Sequence, residues 1–187
     1  MFAPTTDNEL IRRALDGSER AWLALIQRYE KRLYNYALRM SGNPDDAMDI
    51  LQDCLMSVYR NLGSFRGEAK FSTWLFQIAA FRCTDYFRRR RREYVDDDTD
   101  TLPDPNAATM PDASLDTARD NQSISSLMQS LSPDQRQVIE LKFFQHFTFD
   151  EIAGQLGISP NTAKTRLYAA LEKMRRVSPV SLAAGVS

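Results

Sequence analysis

Apolar residues recur along this chain at i, i+3, i+4 and i+7, the period of amphipathic helices, and the pattern predicts an all-α protein. Leu10, Ile11, Ala14 and Leu15 make a short helix that stops at Asp16-Gly17. From Ser18 a single long helix is expected, its stripe running Trp22, Leu25, Ile26, Tyr29, Leu33, Tyr36, Ala37 and Met40. Ser41-Gly42-Asn43-Pro44 ends it and starts the next, which buries Ala47, Leu51, Cys54, Leu55, Val58 and Leu62 and closes at Gly63. A loop, Phe65 to Phe71, leads into a helix from Ser72 to about Arg92 that is apolar almost all round: Trp74, Leu75, Phe76, Ile78, Ala79, Phe81, Tyr86 and Phe87. Periodicity then lapses. From Glu93 to about Asp120 the chain is rich in Asp and Pro, and a linker without its own fold is expected. Ile124, Leu127, Met128 and Leu131 restart the helical pattern, and Ser132-Pro133-Asp134-Gln135 is a capping box for a helix through Val138, Ile139, Leu141, Phe143 and Phe144.

The last periodic stretch, Thr148 to Arg176, has the most defined grammar. Thr148 and Glu151 fit a second capping box, Gly157 supplies a left-handed helix end, and Ser159 caps a further helix with Pro160 at its first position. On that helix Ala163, Leu167, Ala170, Leu171 and Met174 form one apolar stripe, opposite Asn161, Lys164, Thr165 and Tyr168, with Arg175 further along. Two helices around a glycine turn, the second with one greasy and one basic, hydrogen-bonding face, are the build of a helix-turn-helix. Its second helix would lie in a DNA major groove. A helical hairpin with a merely solvated polar face is the competing reading.

Composition adds class limits. A hydrophobic fraction of 43% suffices for packed cores. No apolar run approaches the ~20 residues of a membrane span, and the N-terminus lacks a basic-then-apolar signal, so a soluble, cytoplasmic protein is expected. The two cysteines, Cys54 and Cys83, fall on apolar helix positions and read as core thiols. His146 is the single histidine, so no metal site is expected, and no cofactor either. The net charge of −1 conceals segregation. Residues 1–92 hold 16 Lys/Arg against 11 Asp/Glu, residues 93–131 hold one against nine, and residues 132–187 hold seven against five. Two cationic blocks joined by an acidic tether suggest two modules that face polyanions.

Two further surfaces carry chemistry. The helix after Asn43 has an expected outward face of Asp46, Asp49, Asp53 and Arg60 interleaved with Ile50 and Met56, a mixture suited to docking on a basic partner. The aromatic helix and the loop before it place surplus rings next to Arg66, Lys70, Arg82 and the run Arg88 to Arg92. Rings stack unpaired bases at ~1–3 kcal/mol each while arginines follow phosphate, a pairing that fits single-stranded or melting DNA. Core aromatics with a solvated basic helix end is the alternative.

Three stretches in order, NPDDAMDILQD (43–53), FRGEAKFSTWLFQIA (65–79) with DYFRRRRR, and LSPDQRQVIELKFF through the helix-turn-helix, resemble the extracytoplasmic-function sigma factors of bacterial RNA polymerase, over essentially residues 10–176. The resemblance implies two small helical domains and a flexible acidic linker: a region 2-like domain at 8–92, the linker at 93–122, a region 4-like domain at 123–177 and a frayed tail at 178–187. It implies a promoter-specificity subunit that binds core polymerase, reads the −35 and −10 elements and helps open DNA for a stress or envelope-type regulon. Asp46, Asp49, Ile50, Gln52, Asp53 and Met56 would dock on the β′ clamp helices, with the second domain touching the β flap. Phe65, Arg66, Lys70, Phe71, Trp74, Gln77, Phe81, Arg82, Arg88 and Arg89 would capture the −10 strand. Asn161, Thr162, Lys164, Thr165, Arg166 and Tyr168 would read the −35 duplex. The partners implied are core polymerase, duplex and single-stranded promoter DNA and an anti-sigma protein, with no small-molecule substrate and a monomer when free. Phe81 stands where the family often has asparagine, and Ala169 and Leu171 where arginines are common, so weak DNA binding by the isolated chain is expected. A stand-alone helix-turn-helix regulator is the alternative. An enzyme lacks its usual signals, with no phosphate-cradling loop, no His/Cys metal spacing and no Ser/His set.

Overall fold

The computed structural model describes residues 5–96, 124 and 126–177; most of the expected linker and the tail at 178–187 lie outside the described residues. Regular structure among the described residues is helical. The chain divides into two compact units, Met1–Leu102 and Pro103–Ser187.

The first unit holds α1 (Asp7–Leu15), α2 (Glu19–Gln27), α3 (Glu30–Ser41), α4 (Pro44–Asn61) and α5 (Phe71–Asp96). The starts of α1, α2 and α4 carry side-chain caps. Thr6 accepts from Glu9 N–H at 3.3 Å and Ser18 from Ala21 N–H at 3.3 Å. Asn43 Oδ1 takes two orphan donors, Asp45 N at 2.8 Å and Asp46 N at 3.1 Å, with Pro44 at the first helical position. Gly42 closes α3 at φ 77°, a conformation costly for any residue with a Cβ. The core is filled by Leu25, Leu33, Tyr36, Met40, Val58, Leu75 and Phe76, all essentially without solvent contact.

Three expectations are corrected here. The single helix from Ser18 is two, because the chain turns at Arg28 and Tyr29. The turn is held from outside: Arg28 donates to Asp7 at 2.7 Å and to the Thr5 carbonyl at 2.6 Å, and the Tyr29 hydroxyl bonds Asp7. Burial and that carboxylate push the Tyr29 hydroxyl well above the ordinary phenol range. Leu15, read as part of the α1 stripe, is exposed, while Leu10 and Ile11 carry the burial. The last helix of the unit reaches Asp96, past the expected end at Arg92.

Cys54 and Cys83 are both buried in the core, as their positions predict. Burial pushes the Cys54 thiol up to about 12, with Asp53 adding to and Arg82 opposing the shift. Only the thiolate is nucleophilic, so alkylation of Cys54 by iodoacetamide at pH 8 is expected to be far slower in the folded protein than after denaturation. Equal rates, measured by mass spectrometry, would contradict this packing.

The second unit holds α6 (Pro133–Ile139), a wider π-type turn at Glu140–Phe144, α7 (Phe149–Leu156) and α8 (Pro160–Val177). Both capping boxes are formed: Gln135 N donates to Ser132 Oγ at 3.3 Å with Ser132 N on Gln135 Oε1 at 3.2 Å, and Glu151 N donates to Thr148 Oγ1 at 3.2 Å with Thr148 N on Glu151 Oε2 at 2.8 Å. Met128, Leu131, Val138, Ile139, Leu141, Ile152, Ala163, Leu167 and Ala170 pack together as the core. The helix expected to run on through Phe143 and Phe144 instead widens, with Gln145 N bonded back to Glu140 O at 3.1 Å, and leaves Phe143 exposed. Glu140 is fully buried and accepts from Gln145 Nε2 at 2.9 Å, so its polar head is satisfied inside the unit.

Candidate nucleic-acid interface

The helix-turn-helix is built as its residues require. Gly157 ends α7 at φ 63°, bonding back to the Ala153 carbonyl. Ser159 Oγ accepts from Thr162 N at 3.0 Å and starts α8. Burying Ala163, Leu167 and Ala170 turns the opposite face of α8 outward, where Asn161, Thr162, Lys164, Thr165 and Tyr168 are all exposed. The Thr162 hydroxyl is shared with Ser159 at 2.8 Å, and Thr165 Oγ1 donates to the Asn161 carbonyl at 3.0 Å, so both side chains are held in set rotamers. Two readings change. Arg166 leaves that face to pair with Asp134 at 2.8 Å, tying α8 to the first turn of α6. Leu171, placed in the apolar stripe, is more than a third exposed, the burial ending one residue earlier at Ala170.

In the first unit the Phe65–Phe71 loop and the start of α5 form an aromatic cluster. Phe71 is buried, its ring centroid 5.4 Å from Tyr29, 5.5 Å from Phe65 and 5.7 Å from Trp74. It is therefore a core residue rather than a base-capturing one, because its position at the start of α5 faces the α2–α3 turn. Phe65 and Trp74 lie above it, 5.5 Å apart and only half-buried, each keeping part of its ring accessible. Arg66 and Lys70 flank them in the open. Along α5, Gln77, Phe81, Thr84 and Arg88 make an exposed stripe at helical spacing, with Phe81 61% exposed and the Arg82 guanidinium 5.5 Å from its ring. A ring, an amide and cations on one solvent face can stack and hydrogen-bond bases.

Arg89 does not join that stripe. It pairs with Asp53 at 3.0 Å and Asp85 at 3.5 Å. Arg90 likewise pairs with Asp46 at 2.6 Å and bonds Tyr86, whose hydroxyl is raised above its ordinary range by burial and by Asp46. Asp46 is thus an internal strut between α4 and α5, and Asp53 is shared with Arg89. Ile50 is also corrected: it is buried, three residues after Ala47 and four before Cys54, squarely in the core stripe. What α4 does present is Asp49, Gln52, Asp53 and Met56, joined by Met48 and Tyr59, which the sequence reading passed over. Residues 48, 52, 56 and 59 repeat at helical spacing, a second stripe legible beside the core one. Tyr59 stacks edge-on against Trp22 at 5.2 Å, next to exposed Leu23.

Residues 25–93 match the sigma-70 region 2 family, and residues 121–174 match sigma-70 region 4. RNA polymerase sigma factor CarQ of Myxococcus xanthus is 31% identical over 87% of this chain and 91% of its own length. The chain belongs to the extracytoplasmic-function sigma factors. The sigma-E factor of Escherichia coli K12 is 26% identical to it over 96% of this chain and 98% of the relative. The sigma factor RpoE of Bartonella quintana, solved in complex with the anti-sigma factor NepR, matches with a TM-score of 0.71 at 26% identity, over 83% of this chain and 95% of that one. This sigma factor is accordingly a promoter-specificity subunit of RNA polymerase, which makes a stand-alone regulator the disfavoured reading. No helix among its described residues is long and apolar enough to cross a membrane.

Proposed function

We propose that this sigma factor reads the −35 element as duplex through Asn161, Thr162, Lys164, Thr165 and Tyr168, and holds the unpaired −10 strand on Phe65, Trp74, Gln77 and Phe81. Arg66, Lys70, Arg82 and Arg88 supply phosphate contacts there. The exposed α4 stripe, Met48, Asp49, Gln52, Asp53, Met56 and Tyr59, meets the clamp of core polymerase, and the second domain touches the β flap. The observation that carries this reading is the sorting of faces on α8: Ala163, Leu167 and Ala170 are inside and every expected base-reading residue but Arg166 is outside. The acidic tether that follows α5 and runs to residue 122 links the −10 domain with a −35 domain at 123–177. The factor acts in the cytoplasm by recognition and strand capture without catalysis of its own, serves a stress or envelope-type regulon, and is restrained by an anti-sigma protein, a reading supported by the complex in which its Bartonella relative was solved.

Run-off transcription with core polymerase and a promoter library, followed by 5′-end mapping, tests the reading and returns both elements at once. Absence of any factor-dependent start would overturn it. Lys164→Ala is expected to relax discrimination at one −35 base pair by about 1–3 kcal/mol, the range for a lost base-edge contact. An unchanged −35 preference in the same library would remove Lys164 from the interface.

A further inference from the structure

We infer that Phe149 is a positioning residue for duplex reading: its ring seats the ammonium groups of Lys142 and Lys164 and restrains the lysine that faces base edges. The inference rests on the −35 role proposed for Lys164. Phe149 opens α7 directly after the Thr148 cap and is half-buried, so its ring is fixed by the helix start. Lys164 Nζ lies 5.6 Å from the ring centroid and Lys142 Nζ 4.8 Å from it. Both fall within the ~6 Å reach of a cation–π contact.

Lys142 is fastened a second time, by a hydrogen bond from Nζ to the Phe147 carbonyl at 3.1 Å. That carbonyl is set by the wide turn, where Phe147 N bonds Leu141 O at 3.0 Å above the buried Glu140–Gln145 pair. A polar pair sealed inside the unit thus fixes the turn, the turn fixes Lys142, and the ring joins Lys142 to Lys164 on α8. Lysine is a compact charge on a flexible stem, and ordering it on DNA costs rotamer freedom. An aromatic face restrains the ammonium through its charge and leaves the N–H donors turned away from the ring available for acceptors on a base edge. Phe149 therefore narrows where Lys164 can reach, and a narrower reach separates one base pair from another.

The test uses the holoenzyme on promoters carrying single −35 base-pair substitutions, with Phe149→Leu, Phe149→Tyr, Lys164→Ala and the Phe149→Leu/Lys164→Ala double variant. Phe149→Leu is expected to shrink discrimination about two- to fivefold, the worth of one exposed cation–π contact. Phe149→Tyr keeps the ring and the discrimination. In the Lys164→Ala background Phe149→Leu adds nothing. Thermal melts accompany each variant, and Phe149→Met, flexible but ringless, replaces Phe149→Leu should that change unfold the unit. Wild-type discrimination in Phe149→Leu, beside a loss in Lys164→Ala, overturns this inference alone. A further loss in the Lys164→Ala background overturns it in favour of a packing role. No effect of Lys164→Ala overturns both the −35 role and the inference built on it.

Discussion

Phe76→Ala is expected to cost the first unit about 3–5 kcal/mol, the range for emptying a large buried aromatic site. Phe76 has no solvent contact, meets Tyr36 edge-on at 5.6 Å, and lies under the Arg32 guanidinium at 5.2 Å. Both of these partners come from α3, so the ring joins α5 to α3. Domains hold only ~5–15 kcal/mol in total, and the loss should leave the unit marginal at 37 °C. Both tryptophans, Trp22 and Trp74, belong to this unit, so urea denaturation followed by fluorescence reports on it alone. A loss below about 1 kcal/mol would place Phe76 outside the core.

Trp74→Ala is expected to lower transcription about tenfold or more on duplex promoters, within the ~1–3 kcal/mol that a stacked base contributes. Trp74 is half-buried against Phe65 and Phe71, which leaves part of the ring for a base. On templates whose −10 strands are already mismatched, the loss should be smaller, since strand separation no longer draws on the ring. Equal losses on the two templates would assign Trp74 a folding role only.

Much of the fold could be read from local chemistry. The caps at Asn43, Ser132, Thr148 and Ser159 and the left-handed Gly157 are one-residue solutions to unsatisfied helix ends, so the chain spells them out. The turn at Arg28 and Tyr29 could not be read, because the apolar period runs unbroken across it and neither Gly nor Pro marks it. Its cause is tertiary, in Asp7 and the Thr5 carbonyl more than twenty residues away. The wide turn after α6 hid for a similar reason: buried Glu140 breaks the rule that carboxylates face water, and only Gln145 makes its place tolerable. Among site residues, the exposure of those on α8 other than Arg166 followed directly from helical spacing. Asp46, Arg89 and Arg166 did not, since an ion pair between helices has no signature along either one. Ile50 and Phe71 were misplaced because loops and acids around them suggested surface, while their i+3 and i+4 neighbours already marked the core.

That one chain grips promoter DNA paired at one end and unzipped at the other is tested most directly by permanganate footprinting of the holoenzyme on its mapped promoter. Thymines of the −10 element should become reactive only with the factor present, while those of the −35 element stay protected as duplex. Unreactive −10 thymines in a complex that still protects the −35 element would contradict it.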